Sequence, residues 1–162
     1  MDLSPKRADE SLTEMVQVVL PNDANPLGYI LGGTVMHLID IAGAIACHRH
    51  TRTRLVTAAV DDLQFLHPIK VGDLIILKAH VTCTFTTSLE VQVDVHSEET
   101  LTGLRQLTSR AFLTFVAVSG DGCTRLRVPP LLVETDEQRH VCDQAQARRA
   151  ERLKKKAKSV SA

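Results

Sequence analysis

The run of residues 35–47 constrains the fold more than any other stretch, because only two of its side chains, His37 and Asp40, are polar. Its apolar residues recur with the period of a helix along one face, formed by Val35, Leu38, Ile39, Ala42, Ile45 and Ala46. A helix that is apolar all round either spans a membrane or lies at the centre of a globular protein. This run is shorter than the roughly 18–20 residues that a bilayer requires. The sequence therefore predicts a buried core helix that begins near Gly33.

Asp40 is the only carboxylate in that run. An ionised carboxylate that is buried without a partner is costly, so Asp40 is paired, protonated, or directed at a cavity that uses its charge. A neighbouring hydroxyl group or arginine is the structural alternative. No Lys or Arg lies within two turns on either side, and the next basic residue, Arg49, is nine positions further on. We therefore favour a functional role for Asp40.

The composition argues against several classes of function. With 162 residues, of which 44% are hydrophobic, the chain can bury the core of one domain. A formal net charge of zero argues against nucleic-acid binding and membrane association, and 3% aromatic residues with no Trp argue against base stacking. The cysteines (Cys47, Cys83, Cys123 and Cys142) form no Cys-x-x-Cys pair. This spacing favours reduced thiols in a cytoplasmic protein over a disulfide framework or a zinc site.

The rest of the chain predicts one sheet domain over residues 12–130. Residues 1–11 are polar and are expected to be a disordered tail rather than a signal peptide. Runs rich in Val, Ile and Leu predict five strands, at residues 15–20, 55–66, 74–84, 89–95 and 104–118. With one helix before four successive strands, an α+β domain with a curved antiparallel sheet around that helix is favoured over a parallel sheet. The exposed edges of such a sheet predict self-association.

Two of these strands carry further detail. In the fourth, the apolar residues 89, 91, 93 and 95 alternate with polar residues from Glu90 to His96, which predicts one buried and one solvated face. In the second, Asp61 and Asp62 interrupt an apolar run and indicate a bulge or an exposed section.

Residues 131–162 are predicted to form a C-terminal helix with a basic tail. Thr135 and Gln138 are spaced like a capping box, and the segment is acidic at its start and basic at its end. The basic residues either complement the helix dipole on a solvated face or bind a phosphorylated ligand. The first explanation is favoured for the lysines, whereas both stay open for Arg148 and Arg149.

A motif at the start of the core helix carries a family resemblance. Asn25, Gly28, Gly32, Gly33 and Asp40 follow the pattern Asn-x-x-Gly-x-x-x-Gly-Gly-x-x-x-x-x-x-Asp. This pattern resembles the hotdog-fold acyl-CoA thioesterases, in the branch of the bacterial short- and medium-chain acyl-CoA hydrolases and the cytosolic brain-type acyl-CoA hydrolase. The segments VTAAVDDLQFLHPIKVGD (residues 56–73) and TTSLEVQVDV (residues 86–95) are similar to the same branch, so the resemblance covers about residues 12–120.

The resemblance implies a hotdog fold, in which an antiparallel sheet of about five strands wraps around one long central helix. It implies homodimers that share a continuous sheet and assemble further into trimers of dimers, that is, hexamers. The implied activity is hydrolysis of acyl-CoA to a free carboxylic acid and CoA, with no cofactor and no metal. The implied active site lies across the dimer interface, where Asn25 of one subunit acts with Asp40 of the other.

The implied chemistry can be assigned to residues. The amides of Gly32 and Gly33, at the positive end of the helix dipole, would polarise the thioester carbonyl. Asp40 would act either as general base on water or as a nucleophile, and the sequence does not choose between the two. Asn25, which is both a donor and an acceptor, would orient the water or the carbonyl.

Other assignments stay open. Thr87 and Ser88 either hold the attacking water or a phosphopantetheine amide, or are ordinary hairpin residues. Chain-length preference depends on the side chains that close the acyl tunnel, for which Leu31, Met36 and Phe65 are candidates. Hydratases and dehydratases of acyl thioesters share the hotdog fold but pair a His with an acid in motifs that this sequence lacks. A non-catalytic acyl-CoA sensor is the alternative from a different class.

Overall fold

The computed structural model describes residues 2–160. β1 (Lys6–Arg7) and a 3₁₀ turn (Ala8–Ser11) precede β2 (Thr13–Val18), and a second 3₁₀ turn (Pro21–Asp23) leads towards α1 (Gly32–Thr51). The chain continues through β3 (Arg54–Phe65), β4 (Leu74–Thr84), β5 (Ser88–Glu98), β6 (Arg105–Val118), β7 (Leu131–Leu132) and α2 (Asp136–Val160). Residue 1 of the expected N-terminal tail and residues 161 and 162 of the expected basic tail lie outside the described residues.

Five strands form one antiparallel sheet in the order β2-β4-β5-β6-β3, and α1 packs against its inner face. Alternate residues of β5 point to that face, where Leu89, Val91 and Val93 are fully buried. Register shifts in the β3–β6 pairing, one of them between Val60 and Asp62, place a bulge where the sequence indicated one. An antiparallel sheet packed on one long helix is the predicted hotdog arrangement, and the fold prediction is confirmed.

α1 occupies the centre of the core. The predicted apolar face is buried at Val35, Leu38, Ile39, Ala42 and Ala46, while Ile45 is half-buried. Gly43 marks a close approach to the sheet, because an added Cβ would lie 3.1 Å from Val91 Cγ1 and 3.2 Å from Phe115 Cε2. The helix ends at Thr51 and is capped by Arg52, which has a left-handed φ of 54°.

The opposite, outer face of the sheet is covered by α2. Cys142 of α2 forms a disulfide with Cys83 of β4, and Arg152 of α2 forms an ion pair with Asp61 of β3. The helix therefore crosses the sheet towards the edge strand β3. The prediction that all cysteines are reduced is wrong for Cys83 and Cys142, because helix docking brings together two residues that are 59 positions apart.

The N-terminal segment is ordered from Lys6 onwards, so the expectation of a disordered tail up to residue 11 is wrong for this part. β1 pairs in parallel with β7, which follows the sheet in the chain. The Ser11 side chain is fully buried, where its hydroxyl donates to the Ala8 carbonyl and accepts from the Val81 amide. β7 and Val81 lie far away in sequence, so the polar composition alone gave no sign of these contacts.

The sheet leaves two edge strands, β2 and β3. On β3, Val56 and Val60 are each almost half exposed, and Met36 of α1 is similarly exposed. No helix within residues 2–160 is long and apolar enough to cross a membrane. The exposed apolar side chains on an unpaired edge agree with the predicted self-association.

Candidate active site

The N-terminus of α1 presents free backbone donors. Leu31, the N-cap residue, provides no side-chain cap, and the first hydrogen bond of the helix runs from the Val35 amide to the Leu31 carbonyl. Within the described residues, the amides of Gly32 and Gly33 have no hydrogen-bond partner, and both glycines are exposed. The first turn contains no acidic residue that would compensate the positive end of the dipole. The helix start is therefore suited to bind an oxyanion.

A cavity of about 280 Å³ lies at this helix start and is lined mainly by apolar groups. Asn25, Gly32, Phe65 and His67 are among its lining residues. The Asn25 Oδ1 accepts hydrogen bonds from the amides of Leu27 (3.0 Å) and Tyr29 (3.2 Å), which fixes the side chain in its turn. Its Nδ2 donates to none of the described residues, so it stays available to a ligand.

Asp40 lies elsewhere on the helix and does not line this cavity. It is half-buried, and its Oδ1 accepts a hydrogen bond of 2.6 Å from the Thr57 hydroxyl of β3. It forms no ion pair with a basic residue among residues 2–160. A hydroxyl partner was the structural alternative considered for Asp40. Because this partner orients one oxygen without neutralising the charge, it fits a catalytic carboxylate as well.

Thr57 is a candidate that the sequence did not reveal. Threonine is common in strands, and nothing in the segment VTAAV distinguishes this one. The only possible signal was the expectation that Asp40 needs a hydroxyl partner. Which residue supplies this hydroxyl depends on how β3 lies beside α1, and the tertiary structure decides that.

Thr87 and Ser88 lie at the hairpin between β4 and β5. The Thr87 carbonyl accepts from the Ala117 amide near the end of β6, whereas Ser109, near the start of β6, lines the cavity. Eight residues of strand separate these two points, which corresponds to about 26 Å. One subunit therefore does not bring the hairpin to its own cavity. Beside the hairpin, the guanidinium of Arg149 stacks on the Phe85 ring, 4.7 Å from its centroid.

Arg148 is committed to the fold. It forms a bidentate ion pair with Glu90, with N–O distances of 3.0 and 2.8 Å, and stacks on the Phe112 ring. Glu90 is only 1% exposed and also accepts from the Thr82 hydroxyl. The expectation that this face of β5 is solvated is wrong at Glu90, because α2 covers it. The expectation that Arg148 binds substrate is set aside, since its guanidinium is occupied.

The described residues contain no group of His, Cys, Asp or Glu that could hold a metal ion. A family model described as the thioesterase superfamily matches residues 27–104. An uncharacterized acyl-CoA thioester hydrolase of Bacillus subtilis is 37% identical over 147 residues, which are 91% of this chain and 85% of that protein. The chain belongs to the hotdog-fold acyl-CoA thioesterases.

Solved structures of thioesterases show the same fold. An apo-hexameric acyl-CoA thioesterase superposes with a TM-score of 0.89 at 39% identity, covering 95% of this chain and 98% of the other. The Staphylococcus aureus acyl-CoA hydrolase, solved with butyryl-CoA, CoA and CoA disulfide, gives a TM-score of 0.87 at 32% identity, covering 96% and 94%. Alanine variants of an Asp, an Asn and a Thr of that hydrolase have also been solved. By contrast, the chain spans only 34% of the human cytosolic acyl-CoA thioester hydrolase, a longer thioesterase.

Proposed function

We propose that this protein hydrolyses acyl-CoA thioesters to a free carboxylic acid and CoA, at a site shared by two subunits. The observation that carries this proposal is the pair of unbonded amides at Gly32 and Gly33, beside an apolar cavity. Thioester hydrolysis passes through an oxyanion, which backbone amides at the positive end of a helix stabilise. The cavity takes the acyl chain, with Phe65 in its wall.

The distances along α1 assign the residues to different subunits. Asp40 lies eight residues beyond Gly32 on the same helix, which corresponds to about 12 Å. A base or nucleophile must come within about 3–3.5 Å of the reacting atoms. Asp40 therefore cannot act on a carbonyl that is bound at Gly32 of the same helix. Asn25 and Gly32 line the same cavity. We therefore assign Asn25, Gly32 and Gly33 to one subunit of each site, and Asp40 with Thr57 to the other.

Asp40 supplies the carboxylate that activates water or attacks the carbonyl, and the Thr57 hydroxyl holds it in position. The spacing in a relative supports this assignment. In the Staphylococcus aureus hydrolase, the mutated Asn, Asp and Thr are separated by the same numbers of residues as Asn25, Asp40 and Thr57. The amide of Asn25 orients the water or the carbonyl through its free Nδ2.

The edge strand β3 joins the two subunits. Its exposed Val56 and Val60, with Met36 of α1, form an apolar border on an unpaired strand. Antiparallel pairing of two β3 strands would extend the sheet and cover these side chains. The pairing places the end of one β3, where the cavity lies, beside the start of the other, close to its Thr57. Such dimers assemble as trimers of dimers, in line with the hexameric structures of other thioesterases.

The CoA portion of the substrate then leaves the site towards the hairpin of the subunit that supplies Asp40. Thr87 and Ser88 would hydrogen-bond the pantetheine amides, and Arg149 beside them would contact a phosphate. The reaction requires no cofactor, because water is the only other reactant. We place the protein in the cytoplasm, where acyl-CoA is available.

Thiol release from a panel of saturated acyl-CoAs tests the proposal. Wild-type protein is compared with Asp40→Asn, and with Asp143→Asn as a control that removes an exposed carboxylate of α2. Losing the general base is expected to lower kcat by about 10²–10⁴-fold. The control is expected to keep wild-type activity. Circular dichroism and the elution volume should be unchanged in both variants.

Two outcomes would contradict the proposal. Tight binding of acyl-CoA without thiol release by the wild type would indicate a sensor. Hydration of an enoyl-CoA without thiol release would indicate a hydratase. Equal activity of Asp40→Asn and the wild type would leave hydrolysis standing but remove Asp40 from it.

A further inference from the structure

A groove of about 610 Å³ lies at the C-terminal end of α1, at the other end of the helix from the free amides. It is walled by the turn from α1 into β3 and by the end of β6. His48, Arg52 and Arg54 contribute its basic side chains, and Gly120 lies opposite them. The residues that line this groove have no role in the proposed hydrolysis.

The arginines of this groove have no acidic partner. Arg52 forms no side-chain hydrogen bond or ion pair with any residue in the described range, and Arg54 donates only to the Gly120 carbonyl. No carboxylate lines the groove within residues 2–160. Asp121, which follows Gly120, accepts hydrogen bonds within its own turn. Elsewhere in residues 2–160, five arginines pair with a carboxylate (Arg7, Arg105, Arg110, Arg148 and Arg152) and five do not (Arg49, Arg125, Arg127, Arg139 and Arg149). The groove differs from these single positions because two arginines without an acidic partner line the same cavity.

The backbone at Arg52 is unusual as well. In the described part of the chain, Arg52 is the only residue other than glycine with a positive φ, at 54°. Arg52 caps the C-terminus of α1, where its amide donates to the His48 carbonyl, and glycine or asparagine adopts this left-handed conformation at lower cost than arginine. Strained residues cluster at ligand sites. An unpaired guanidinium on a strained backbone points to a ligand that supplies the missing negative charge.

The groove is correctly placed for one part of the substrate. His48 lies two turns of α1 beyond Asp40, on the order of 12 Å along the helix. The thioester lies beside Asp40, and the extended pantetheine arm of CoA spans a distance of this size before the phosphates begin. Antiparallel pairing of β3 also brings Arg54 of one subunit close to the cavity of its partner.

We propose that this groove binds phosphate groups of the nucleotide portion of the acyl-CoA, in the subunit that supplies Asp40. Arg52 and Arg54 present planar guanidinium groups, which bind phosphate oxygens through charge-assisted hydrogen bonds. Arg54 is held by its bond to Gly120, whereas Arg52 is free to close on the ligand. This inference rests on the proposed function, and it adds residues to the binding of CoA that the sequence did not indicate.

Steady-state kinetics with two substrates test the inference. Butyryl-CoA carries the nucleotide, and butyryl-pantetheine lacks it. Arg52→Asn removes the charge with a residue that tolerates a positive φ, Arg52→Lys keeps the charge, and Arg139→Asn makes the same change at an exposed arginine of α2. For Arg52→Asn, KM for butyryl-CoA should rise roughly tenfold or more with kcat unchanged, and the kinetics of butyryl-pantetheine should not change. Arg52→Lys should recover most of the loss, and Arg139→Asn should behave as the wild type.

Calorimetric titration with adenosine 3′,5′-bisphosphate separates this inference from the proposed function. The wild type should bind this nucleotide and Arg52→Asn should bind it at least tenfold more weakly, whether or not any thioester is hydrolysed. An unchanged KM in Arg52→Asn, or an equal rise for both substrates, would overturn the inference. Inhibition of butyryl-pantetheine hydrolysis by the nucleotide through a lower kcat would also overturn it, because the groove would then bind a regulator.

Discussion

The two faces of the sheet are covered by helices of opposite character. On the inner face, α1 is apolar, and its one carboxylate, Asp40, has only the Thr57 hydroxyl as a partner within residues 2–160. On the outer face, α2 is rich in charge, and its Arg148 and Arg152 each pair with a carboxylate of the sheet. The comparison teaches that a charged side chain that is at least partly buried indicates function where no opposite charge balances it. Charges that are numerous and paired hold the fold together.

Removal of Arg148 is expected to have the largest effect on stability, because it leaves the buried Glu90 carboxylate without an opposite charge. Breaking such a pair costs about 3–5 kcal/mol. Arg148→Met should lower the free energy of unfolding in urea by this amount and leave kcat of the folded protein unchanged. The double variant with Glu90→Leu is the control and should recover most of the loss, because the buried charge is gone. A large loss of kcat in the double variant would place the outer face in the active site.

Removal of the Thr57 hydroxyl should lower kcat and leave the stability almost unchanged. A hydrogen bond to a charged group contributes about 1.5–3 kcal/mol, so Thr57→Val should lower kcat by roughly 10–100-fold. Its free energy of unfolding should change little, since Thr57 is not part of the buried core of the subunit. Thr57→Ser keeps the hydroxyl and should recover the activity. Full activity of Thr57→Val in thiol release would show that Asp40 needs no positioning partner.

The close contact of α1 with the sheet predicts a cost for a single methyl group. Gly43→Ala would press on Val91 and Phe115, and such overpacking costs about 1–3 kcal/mol. Gly33→Ala is the stability control, because its Cβ would meet no atom within 4 Å. Thermal unfolding of both variants measures the difference. Equal stability would show that the helix is free to shift on the inner face.

The smallest expected effect is the contribution of His50 to the pH dependence of stability. His50 at the end of α1 is fully buried, and its Nε2 lies 2.9 Å from the Pro129 carbonyl. Burial lowers the pKa of His50, so the folded state favours the neutral ring. This contribution to stability is complete above the unfolded pKa of about 6.5 and is lost as the pH falls towards the folded value. Between pH 7.5 and 5.5, the free energy of unfolding should therefore drop more in the wild type than in His50→Gln. His140→Gln changes an exposed histidine and is the control, which should show the same drop as the wild type.

Features with a local signal could be predicted from the sequence. The apolar period predicted α1, and β-rich runs predicted the five strands of the sheet. Features that depend on which helix packs against a strand could not be predicted from the sequence. Glu90 alternates with Val91 like a solvated residue, and only the docking of α2 buries it. The pairing of Cys83 with Cys142 and the contact of Thr57 with Asp40 likewise join elements that are distant in the chain.

The central claim is that each site takes its amides and Asn25 from one subunit and Asp40 from the other. Two inactive variants, Asn25→Ala and Asp40→Ala, can be denatured together, refolded as a mixture and assayed for thiol release. Random pairing makes half of the dimers mixed, and each mixed dimer has one intact site, so activity should return to about a quarter of the wild-type value. Refolding of each variant alone is the control and should give no activity. A mixture that stays inactive, with dimers formed normally, would contradict the shared site.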